Sequence, residues 1–337
     1  MKVHWLLPFK IESISQLKEA NLASIRLRSG CVIQNIAGSS IEISAGEEIA
    51  NNPDAIIIGK LKSTNYKNVQ FWIDKIQLAK QNGSKILFDY TDDYLNQHNS
   101  GFYKPFYDAL INIADIGITS SNHLKLSLKN YFNSHIEIIE DSIEVPILKP
   151  HSYNAKFINI LWFGHASNFN YLIKFIEQYK KFNLQTNIYG LTNEQGIHLA
   201  SQSKVNMPKN LNVQLGLWSI ESMVNTAKFC DLCIIPSDLS DNRKSGVSSN
   251  RLITSLALGL PTAADRLNSY NEFENYFTDI RSEKFKVFLE KPDIFHNQVL
   301  EAQEKIIPNF SQKTIGQKWI HFLSKLLQKK IDTPTVV

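Results

Sequence analysis

The sequence of 337 residues contains few cysteines, glycines and prolines. Its 3 cysteines cannot form a disulfide framework, which indicates a reducing compartment. With 14 glycines and 11 prolines, the chain is neither collagen-like nor of low complexity. Cys230 and Cys233 lie in an apolar run of strand character rather than at a helix start, so we interpret them as buried hydrophobic residues. No second cysteine pair or histidine at zinc spacing accompanies them, and the sequence predicts no metal site.

The sequence also lacks a long uncharged apolar run and a strong excess of either charge. No apolar run reaches the 18 residues that a membrane span needs, and the apolar start of the chain is too short for a signal peptide. The net charge of +4 permits an anionic ligand or an anionic membrane surface, but it is too weak to indicate a nucleic-acid partner. We expect a cytoplasmic protein, with peripheral membrane contact as the open alternative.

Short apolar runs alternate with amphipathic stretches along the whole chain, which predicts parallel α/β architecture with helices on both faces of each sheet. We expect two Rossmann-like, doubly wound domains, over residues 1–145 and 157–310, that face each other across a cleft. A segment with two prolines, 146–156, is the predicted linker. One further strand is predicted over Phe285–Leu289.

The last predicted helix, 311–330, carries an apolar stripe and several lysines. The stripe consists of Ile315, Trp319, Phe322, Leu323, Leu326 and Leu327. An exposed stripe of this length would promote aggregation, so we expect the helix to pack back on the first domain. The alternative is contact with an anionic membrane, which would suit a lipid-linked acceptor.

Ligands of open parallel sheets bind beyond the carboxyl ends of the strands, so residues that follow predicted strands are candidates. The segment 238–251 follows a strand and opens a helix, where free N–H groups and flexible cations can hold a diphosphate. The candidate residues for binding a substrate that carries a diphosphate, called the donor below, are Lys244, Ser245, Ser248, Ser249, Asn250 and Arg251. The structural alternative is a serine N-cap on a solvated loop.

Two other predicted strand ends in the second half supply donor-binding candidates. Gly164, His165 and Ser167 follow one strand, and they offer close backbone approach and hydrogen bonds to phosphate or sugar oxygens. Tyr189 and Gly190 are predicted at the end of the next strand, with the ring near a base. A helix cap and a turn glycine are the structural alternatives.

In the first half, Asp92 and Asp93 follow a strand, where a carboxylate can bind or deprotonate an acceptor hydroxyl. Helix N-caps are the alternative. Arg26 and Arg28 are candidates for the acceptor side. The chain contains no D-x-D pair, so the usual carboxylates for a metal–diphosphate complex are missing.

Several segments resemble GT-B glycosyltransferases of the group 1 type. Residues 230–236, 250–261 and 270–272 resemble the nucleotide-sugar domain, and residues 23–28 and 88–93 resemble the acceptor domain. The group's paired glutamates, eight residues apart, are replaced here by Gly246 and Thr254. The resemblance implies the GT-B fold and transfer of a sugar from a nucleoside diphosphate sugar, which is a substrate and not a bound cofactor.

The leading hypothesis is therefore a metal-independent glycosyltransferase of polysaccharide or glycan biosynthesis. Lys244 and Arg251 would stabilise the leaving diphosphate, with Asp92, Asp93 and Lys244 as candidate catalytic residues. The acceptor would be a glycan, a lipid-linked molecule or a protein, and not a nucleic acid. Two alternatives stay open: a nucleotide-sugar epimerase or hydrolase, and a non-catalytic sugar- or nucleotide-binding scaffold, which the missing glutamates favour.

Overall fold

A computed structural model describes most of the chain. The described residues are 1–20, 22–36, 39–49, 52–61, 64–97, 101–151, 157–179, 184–203 and 208–331. Part of the predicted linker, residues 152–156, lies outside them.

The described residues form two compact units. Unit 1 comprises Met1–Ser142, Asn242–Ser248 and the described residues from Asn309 onward. Unit 2 comprises Ile143–Asp241 and Ser249–Pro308. The segment Asn242–Ser248 was expected in the second domain, but its contacts group it with unit 1.

Each unit contains one parallel sheet of six strands. The strands of unit 1 are β1 (Lys2–Leu6), β2 (Glu42–Gly46), β3 (Ala55–Ile58), β4 (Lys85–Tyr90), β5 (Ile116–Thr119) and β6 (Ile136–Ile138), in the order β2-β1-β3-β4-β5-β6. Those of unit 2 are β7 (Ile158–Phe163), β8 (Thr186–Thr192), β9 (Leu211–Leu217), β10 (Leu232–Ile235), β11 (Thr262–Ala264) and β12 (Thr278–Asp279), in the order β12-β11-β10-β7-β8-β9. The two doubly wound α/β sheets that the sequence predicts are both present.

Helices connect the strands. They are α1 (Ala23–Ile25), α2 (Cys31–Asn35), α3 (Tyr66–Gln81), α4 (Tyr103–Leu110), α5 (Asn122–Leu128), α6 (Phe169–Tyr179), α7 (Glu194–Gln202), α8 (Ile220–Ala227), α9 (Asn242–Ser245), α10 (Asn250–Ala257), α11 (Lys284–Glu290), α12 (His296–Lys305) and α13 (Gln312–Ile331). A π-helical turn, Arg26–Gly30, joins α1 to α2, and 3-10 turns occupy Ile14–Leu17, Ala166–Asn168, Asn268–Tyr276, Pro292–Phe295 and Ile307–Phe310. Within the described ranges, none of the helices is long and apolar enough to cross a membrane.

Hydrophobic cores cover both faces of the unit 1 sheet. One core joins Ile56 and Phe88 of the sheet to Trp72 of α3 and Phe106 of α4. The other joins Val3 and Trp5 of β1 to residues of α13. Buried β-branched and aliphatic residues fill the middle strands because a parallel sheet covered on both faces exposes neither side to water.

Helix α13 lies in the second of these cores. Ile315, Trp319 and Leu323 are fully buried there, and the rings of Trp319 and Trp5 are 5.0 Å apart between centroids. Two other residues of the predicted stripe, Phe322 and Leu326, are also buried in it. Burial of these large side chains contributes most of the attachment of α13 to unit 1. The side chain of Leu327 lies outside the described ones.

The predicted strand over Phe285–Leu289 is wrong, since α11 is a helix. Its buried residues Phe285, Phe288 and Leu289 recur three to four positions apart, which matches a helical face against the core of unit 2. Phe285, Val287 and Leu289 alternate in the sequence as the buried face of a strand would, which led to the wrong prediction. In the structure Val287 is 46% exposed, so these three residues do not form one buried face.

Candidate active site

The strand order of unit 2 places a crevice between β7 and β10. These two strands are neighbours, while β8 lies on one side of them and β11 on the other. Ligands of doubly wound folds bind at such a reversal, outside the carboxyl ends of the strands. The loops that follow Phe163 and Ile235 therefore flank the candidate nucleotide site.

The loop after β7 carries three of the predicted residues. The Gly164 amide donates to the Leu191 carbonyl at 3.0 Å, which extends the pairing of β7 with β8 by one residue. His165 is exposed, and its Nδ1 accepts from the Ser167 amide at 3.2 Å, so the ring caps the turn before α6. The Ser167 side chain is also exposed. Both side chains can reach solvent and hence a ligand.

Tyr189 and Gly190 do not follow a strand, which corrects their predicted position. β8 continues to Thr192, and Gly190 pairs with Trp162 on one side and Leu215 on the other. A Cβ at Gly190 would overlap Leu215 Cδ2, so the glycine makes room for neighbouring side chains rather than for a ligand. The Tyr189 ring packs on Phe229, with 4.9 Å between centroids.

Asn193, which the sequence analysis missed, is the residue that follows β8. Its Oδ1 accepts from the Ala166 amide at 3.0 Å and so joins the end of β8 to the loop after β7. The signal was an asparagine directly after an apolar strand, and it was lost because the strand was ended three residues too early.

The start of α10 contains Ser249, Asn250 and Arg251. Ser249 is buried at the N-cap position, but its side chain makes no capping hydrogen bond to the helix. Arg251 is half-buried, and its Nη1 is buried with no hydrogen-bond partner among the described residues. A buried guanidinium nitrogen without a partner is costly, because it has lost its water without gaining another acceptor.

Three further polar atoms near this edge are buried without a partner in the part of the chain that the structure describes. They are Ser237 Oγ, which follows β10, and Ser269 Oγ and Tyr270 Oη, which lie in the loop after β11. Burial raises the pKa of Tyr270, and the neighbouring Arg251 guanidinium partly opposes that shift. Together with Arg251 Nη1, these atoms offer donors that a polar ligand can satisfy.

Asp265 holds the loops around these atoms in place. One carboxylate oxygen accepts from the Ser237 amide at 2.7 Å, and the other accepts from Arg281 Nε at 2.6 Å. The carboxylate is buried and already carries both contacts, so we assign it a structural role.

The remaining residues of the predicted diphosphate loop belong to unit 1. Ser245 Oγ lies 3.4 Å from His123 Nε2, and Ser121 Oγ donates to the Gly246 carbonyl at 3.0 Å. Lys244 and Ser248 are half-buried in the same segment. The predicted site 244–251 is thus divided, with residues up to Ser248 in unit 1 and those from Ser249 in unit 2.

In unit 1, the loop after β4 places Asp92 beside Lys60, which the sequence analysis did not single out. Lys60 Nζ donates to Asp92 Oδ2 at 2.8 Å, and the Tyr94 hydroxyl donates to the same oxygen at 3.2 Å. Burial disfavours the Lys60 charge, but Asp92 outweighs burial and raises the pKa of Lys60. The Lys60 and Asp92 side chains keep 33% and 22% of their surface exposed, so the pair is accessible.

Aromatic rings support this ion pair. Tyr94 stacks on Tyr103 with 4.6 Å between centroids and on Tyr107 with 5.5 Å. Lys60 Nζ lies 5.2 Å from the centroid of Tyr94, within cation–π range. The stack fixes the position of the ammonium group and, through it, of the Asp92 carboxylate.

Asp93 differs from its neighbour because it is 4% exposed and fully engaged. Its carboxylate accepts from the Tyr90 hydroxyl at 2.9 Å, from Asn96 Nδ2 at 2.8 Å and from Ser127 Oγ at 2.7 Å. These contacts join three segments of unit 1, which is a structural role.

Arg26 and Arg28, predicted on the acceptor side, are both buried. Arg26 donates to the Ala20 carbonyl at 2.8 Å. Arg28 is fully buried, pairs with both oxygens of Asp89, and lies 5.1 Å from the Trp319 ring centroid. The Arg28 guanidinium therefore connects β4 with α13 in the core and has no surface left for an acceptor.

The cysteine pair has the predicted character. Cys230 and Cys233 are free and buried, and burial raises the pKa of Cys233 to about 12. A protonated, inaccessible thiol is unreactive. Over the part of the chain that the structure describes, no group of three or more His, Cys, Asp or Glu side chains is arranged to hold a metal ion.

Solved glycosyltransferase structures share this architecture. An alpha-glucosyltransferase (AGT) in complex with UDP has a TM-score of 0.65 at 9% identity, covering 96% of this chain and 100% of that one. A glycosyltransferase from Rickettsia africae ESF-5 has a TM-score of 0.61 at 13% identity, covering 97% and 98%. The apo lipopolysaccharide outer core galactosyltransferase WaaB has a TM-score of 0.59 at 10% identity, covering 96% and 100%. The chain has the GT-B fold.

Larger proteins also match this chain in structure. The similarity lies in the fold and not in the sequence. The chain spans 57% of the matched chain of the GtfA/B complex and 58% of TarM. No family model matches the sequence, and no curated protein matches it. One matched alpha-glucosyltransferase structure contains a 13-mer DNA, so the comparisons give no support to the predicted exclusion of nucleic acid.

Proposed function

We propose that the chain is a glycosyltransferase that moves a sugar from a nucleoside diphosphate sugar to an acceptor hydroxyl. The observation that carries this proposal is the group of buried, unpartnered donors at the carboxyl edge of unit 2, with Arg251 Nη1 among them. Such groups are expected where a polar ligand completes the hydrogen bonding. Their place at the sheet reversal of a GT-B fold supports a nucleotide diphosphate as that ligand.

In the proposed reaction, unit 2 binds the donor. Arg251 and the first amides of α10 would take up the negative charge that develops on the leaving diphosphate. Serine hydroxyls at 237 and 269 and the Tyr270 hydroxyl would orient the nucleotide.

Unit 1 would bind the acceptor at the Lys60–Asp92 pair. The acceptor oxygen forms the new glycosidic bond while the bond between the sugar and the phosphate oxygen breaks. The proton of the acceptor hydroxyl passes to Asp92, whose carboxylate is accessible and is held by Lys60 and Tyr94. In the tyrosine stack beside it, Tyr94 and Tyr107 are buried, and the half-buried Tyr103 ring would be the surface on which a sugar ring lies.

The proposal is tested by titrating UDP, GDP, ADP and CMP into the protein and measuring heat or thermal stabilisation. UDP is the first choice because matched alpha-glucosyltransferase structures contain it. At least one nucleotide is expected to bind. Failure of all four, and of their sugar conjugates, would remove the proposal.

Arg251→Ala is expected to weaken nucleotide binding by roughly 10- to 150-fold, since a hydrogen bond to a charged group contributes about 1.5–3 kcal/mol. The matched control is Arg266→Ala, because Arg266 forms an exposed ion pair with Glu274 in the same unit. Unchanged affinity in the Arg251 variant would assign this arginine to the fold instead. Activity that persists in EDTA would support the metal independence expected from the missing D-x-D pair.

One observation favours a second candidate, a non-catalytic nucleotide- or sugar-binding protein. Thr254 and Gly246 stand where the resembled group has glutamates, so neither position carries a carboxylate. Thr254 is 4% exposed and lies in the core face of α10. Tight nucleotide binding with no turnover over a broad acceptor panel, and no hydrolysis or epimerisation of the donor, would favour this candidate.

A further inference from the structure

The two sheets have four edge strands, and three of them are short or charged. β2 contains Glu42, β6 is three residues long with Glu137 at its centre, and β12 is two residues long and ends in Asp279. Short length and charge are common means by which proteins prevent edge strands from pairing with other chains. β9, the fourth edge, is seven residues long and contains neither a charged residue nor a proline.

The register of β9 shows which of its backbone groups point outward. The Trp218 amide donates to the Thr192 carbonyl at 2.8 Å, and the Thr186 amide donates to the Asn210 carbonyl at 2.9 Å. Even-numbered residues therefore bond to β8, and odd-numbered ones direct N–H and C=O away from the sheet. The outward groups are the N–H and C=O of Val213 and Leu215, the N–H of Leu217 and the carbonyl of Leu211. The Leu217 carbonyl accepts from Ser222 Oγ, and the Leu211 amide donates to the Pro208 carbonyl. Within the described ranges, no strand pairs with this edge.

Apolar side chains accompany these outward groups. Val213 and Leu215 are half-buried, and Leu217 is 57% exposed. An open groove beside them is lined by apolar Ile197 of α7 and Leu215, Gly216 and Leu217 of β9, and by polar Glu194, His198 and Ser201 of α7. The edge thus presents hydrogen-bonding groups and apolar surface together, which suits another β-strand.

We propose that β9 pairs antiparallel with β9 of a second copy of this chain, about a two-fold axis at Gln214. In this register Val213 lies opposite Leu215 of the second copy, and the two residues exchange both outward hydrogen bonds. Leu217 lies opposite Leu211, which covers its exposed side chain. The two six-stranded sheets of unit 2 then form one continuous sheet.

Charge at the ends of β9 favours a second copy over an unrelated strand. Lys209, just before β9, is exposed, and Glu221, in the first turn of α8 after it, is also exposed. Antiparallel pairing brings the end of β9 that follows Lys209, which lies in the turn before the strand, to the end of the second copy's β9 that precedes Glu221. The symmetry repeats this charge complementarity at both ends of the paired strands.

Gln214 provides a direct test of the axis. A residue on the axis faces its own copy in a non-hydrogen-bonded pair, where the two Cα atoms are about 4.5 Å apart. Gln214→Cys is therefore expected to form an intermolecular disulfide under mild oxidation. Asn212→Cys is the matched control. In this register residue 212 faces Gly216 of the second copy and lies too far from residue 212 of that copy to form a disulfide. Background from Cys31, Cys230 and Cys233 is low because all three are buried.

Val213→Pro tests the pairing itself. Proline removes an outward N–H and leaves the bonds to β8 intact, so the variant is expected to be monomeric with its fold retained. Val213→Thr keeps the N–H and is expected to dimerise like the wild type. Leu217→Lys places a cation near Lys209 of the second copy and is expected to raise the dimer dissociation constant at least tenfold, whether or not the proline variant folds.

Sedimentation equilibrium at roughly 1 to 100 µM measures these changes. A wild type that is monomeric throughout would overturn the proposal. So would a dimer that Leu217→Lys leaves unchanged, or a disulfide that forms at Asn212→Cys and not at Gln214→Cys. None of these outcomes depends on nucleotide binding or transfer activity.

Discussion

Asp92 and Asp93 are adjacent and chemically identical, but their surroundings give them different tasks. Asp92 is accessible and faces Lys60, whereas Asp93 is buried and accepts from Tyr90, Asn96 and Ser127. Asp92→Asn is expected to lower transfer rates by at least tenfold while the unfolding free energy and the nucleotide affinity change little. Asp93→Asn is expected to destabilise unit 1 by about 1–3 kcal/mol, because an amide cannot accept all three hydrogen bonds.

Kinetic assays and chemical denaturation of the two variants separate these effects. Equal loss of stability in both would remove the distinction, and loss of nucleotide affinity in the Asp92 variant would show that the two units have been assigned the wrong ligands.

His4 makes the stability of unit 1 depend on pH. Its Nδ1 lies 2.9 Å from Ser44 Oγ and its Nε2 lies 3.2 Å from the Gly46 carbonyl, between β1 and β2. Burial lowers the pKa of His4 below its ordinary value of 6.5. Below pH 6.5 the unfolded chain therefore binds a proton that the folded chain does not, and stability falls by up to about 1.4 kcal/mol per pH unit.

Denaturation at about pH 7, 6 and 5, on either side of the ordinary histidine pKa, measures this effect. His4→Gln is expected to show a shallower loss of stability than the wild type over the acidic part of this range, and exposed His321→Gln serves as the control. Parallel curves for the wild type and His4→Gln would assign the pH dependence to other groups.

For single residues, the sequence indicates which polar side chains follow strands, but it does not indicate which other side chains they contact. Lys60 was missed because its partner Asp92 is 32 positions away in the sequence. Arg28 was placed on the acceptor side because nothing local shows that Asp89, Trp319 and the segment after β6 enclose it. Burial of a charged residue depends on such distant partners, and a single sequence does not reveal them.

Among the elements, α10 is followed, two residues after its last residue Ala257, by a position that only glycine can occupy. Gly259 has φ +77°, and a Cβ there would lie 2.6 Å from the Leu148 carbonyl oxygen and 2.8 Å from that of Lys149. Gly259→Ala is expected to destabilise unit 2 by more than about 2 kcal/mol, because the backbone must move as well as adopt a strained conformation.

Gly83→Ala is the matched control for this variant. Gly83 also has a positive φ, of +92°, but no atom lies within 4 Å of the position that a Cβ would take there. The difference between the two variants in urea denaturation isolates the clash from the dihedral strain. Equal effects would show that the segment around Leu148 moves away without cost.

Strands are visible in the sequence where an apolar run is uninterrupted. β3 and β10 are such runs, and both are buried throughout. The predictions of secondary structure are wrong where apolar residues fit both a helical and a strand period, as in α11, or where a glycine lies inside a strand, as in β8. Glycine usually interrupts a strand, and only packing against Leu215 and Trp162 explains why it continues here.

For the whole molecule, the two units are not two successive halves of the chain, because each unit is made of separate segments. Unit 1 begins the chain, and it also includes Asn242–Ser248 and the described residues from Asn309 onward. Residues 242–248 were assigned to the second domain because they carry charge and a glycine and directly precede α10 in the sequence. A local pattern does not show that Ser121 and His123 contact this segment. The apolar stripe of α13, by contrast, is visible in the sequence because it repeats along one helix face.

Deletion from Ser311 onward is expected to unfold unit 1 and to give a poorly soluble protein, because α13 supplies five side chains to its core. A milder variant keeps the experiment informative. Trp319→Ala is expected to cost about 3–5 kcal/mol, since the ring is fully buried against Trp5 and Arg28. Lys325→Ala, on the exposed face of the same helix, is expected to change stability by less than about 0.5 kcal/mol. Chemical denaturation measures both, and flotation with anionic liposomes tests the membrane alternative. A truncated protein that stays folded and loses only liposome binding would show that α13 serves a membrane surface instead of the core of unit 1.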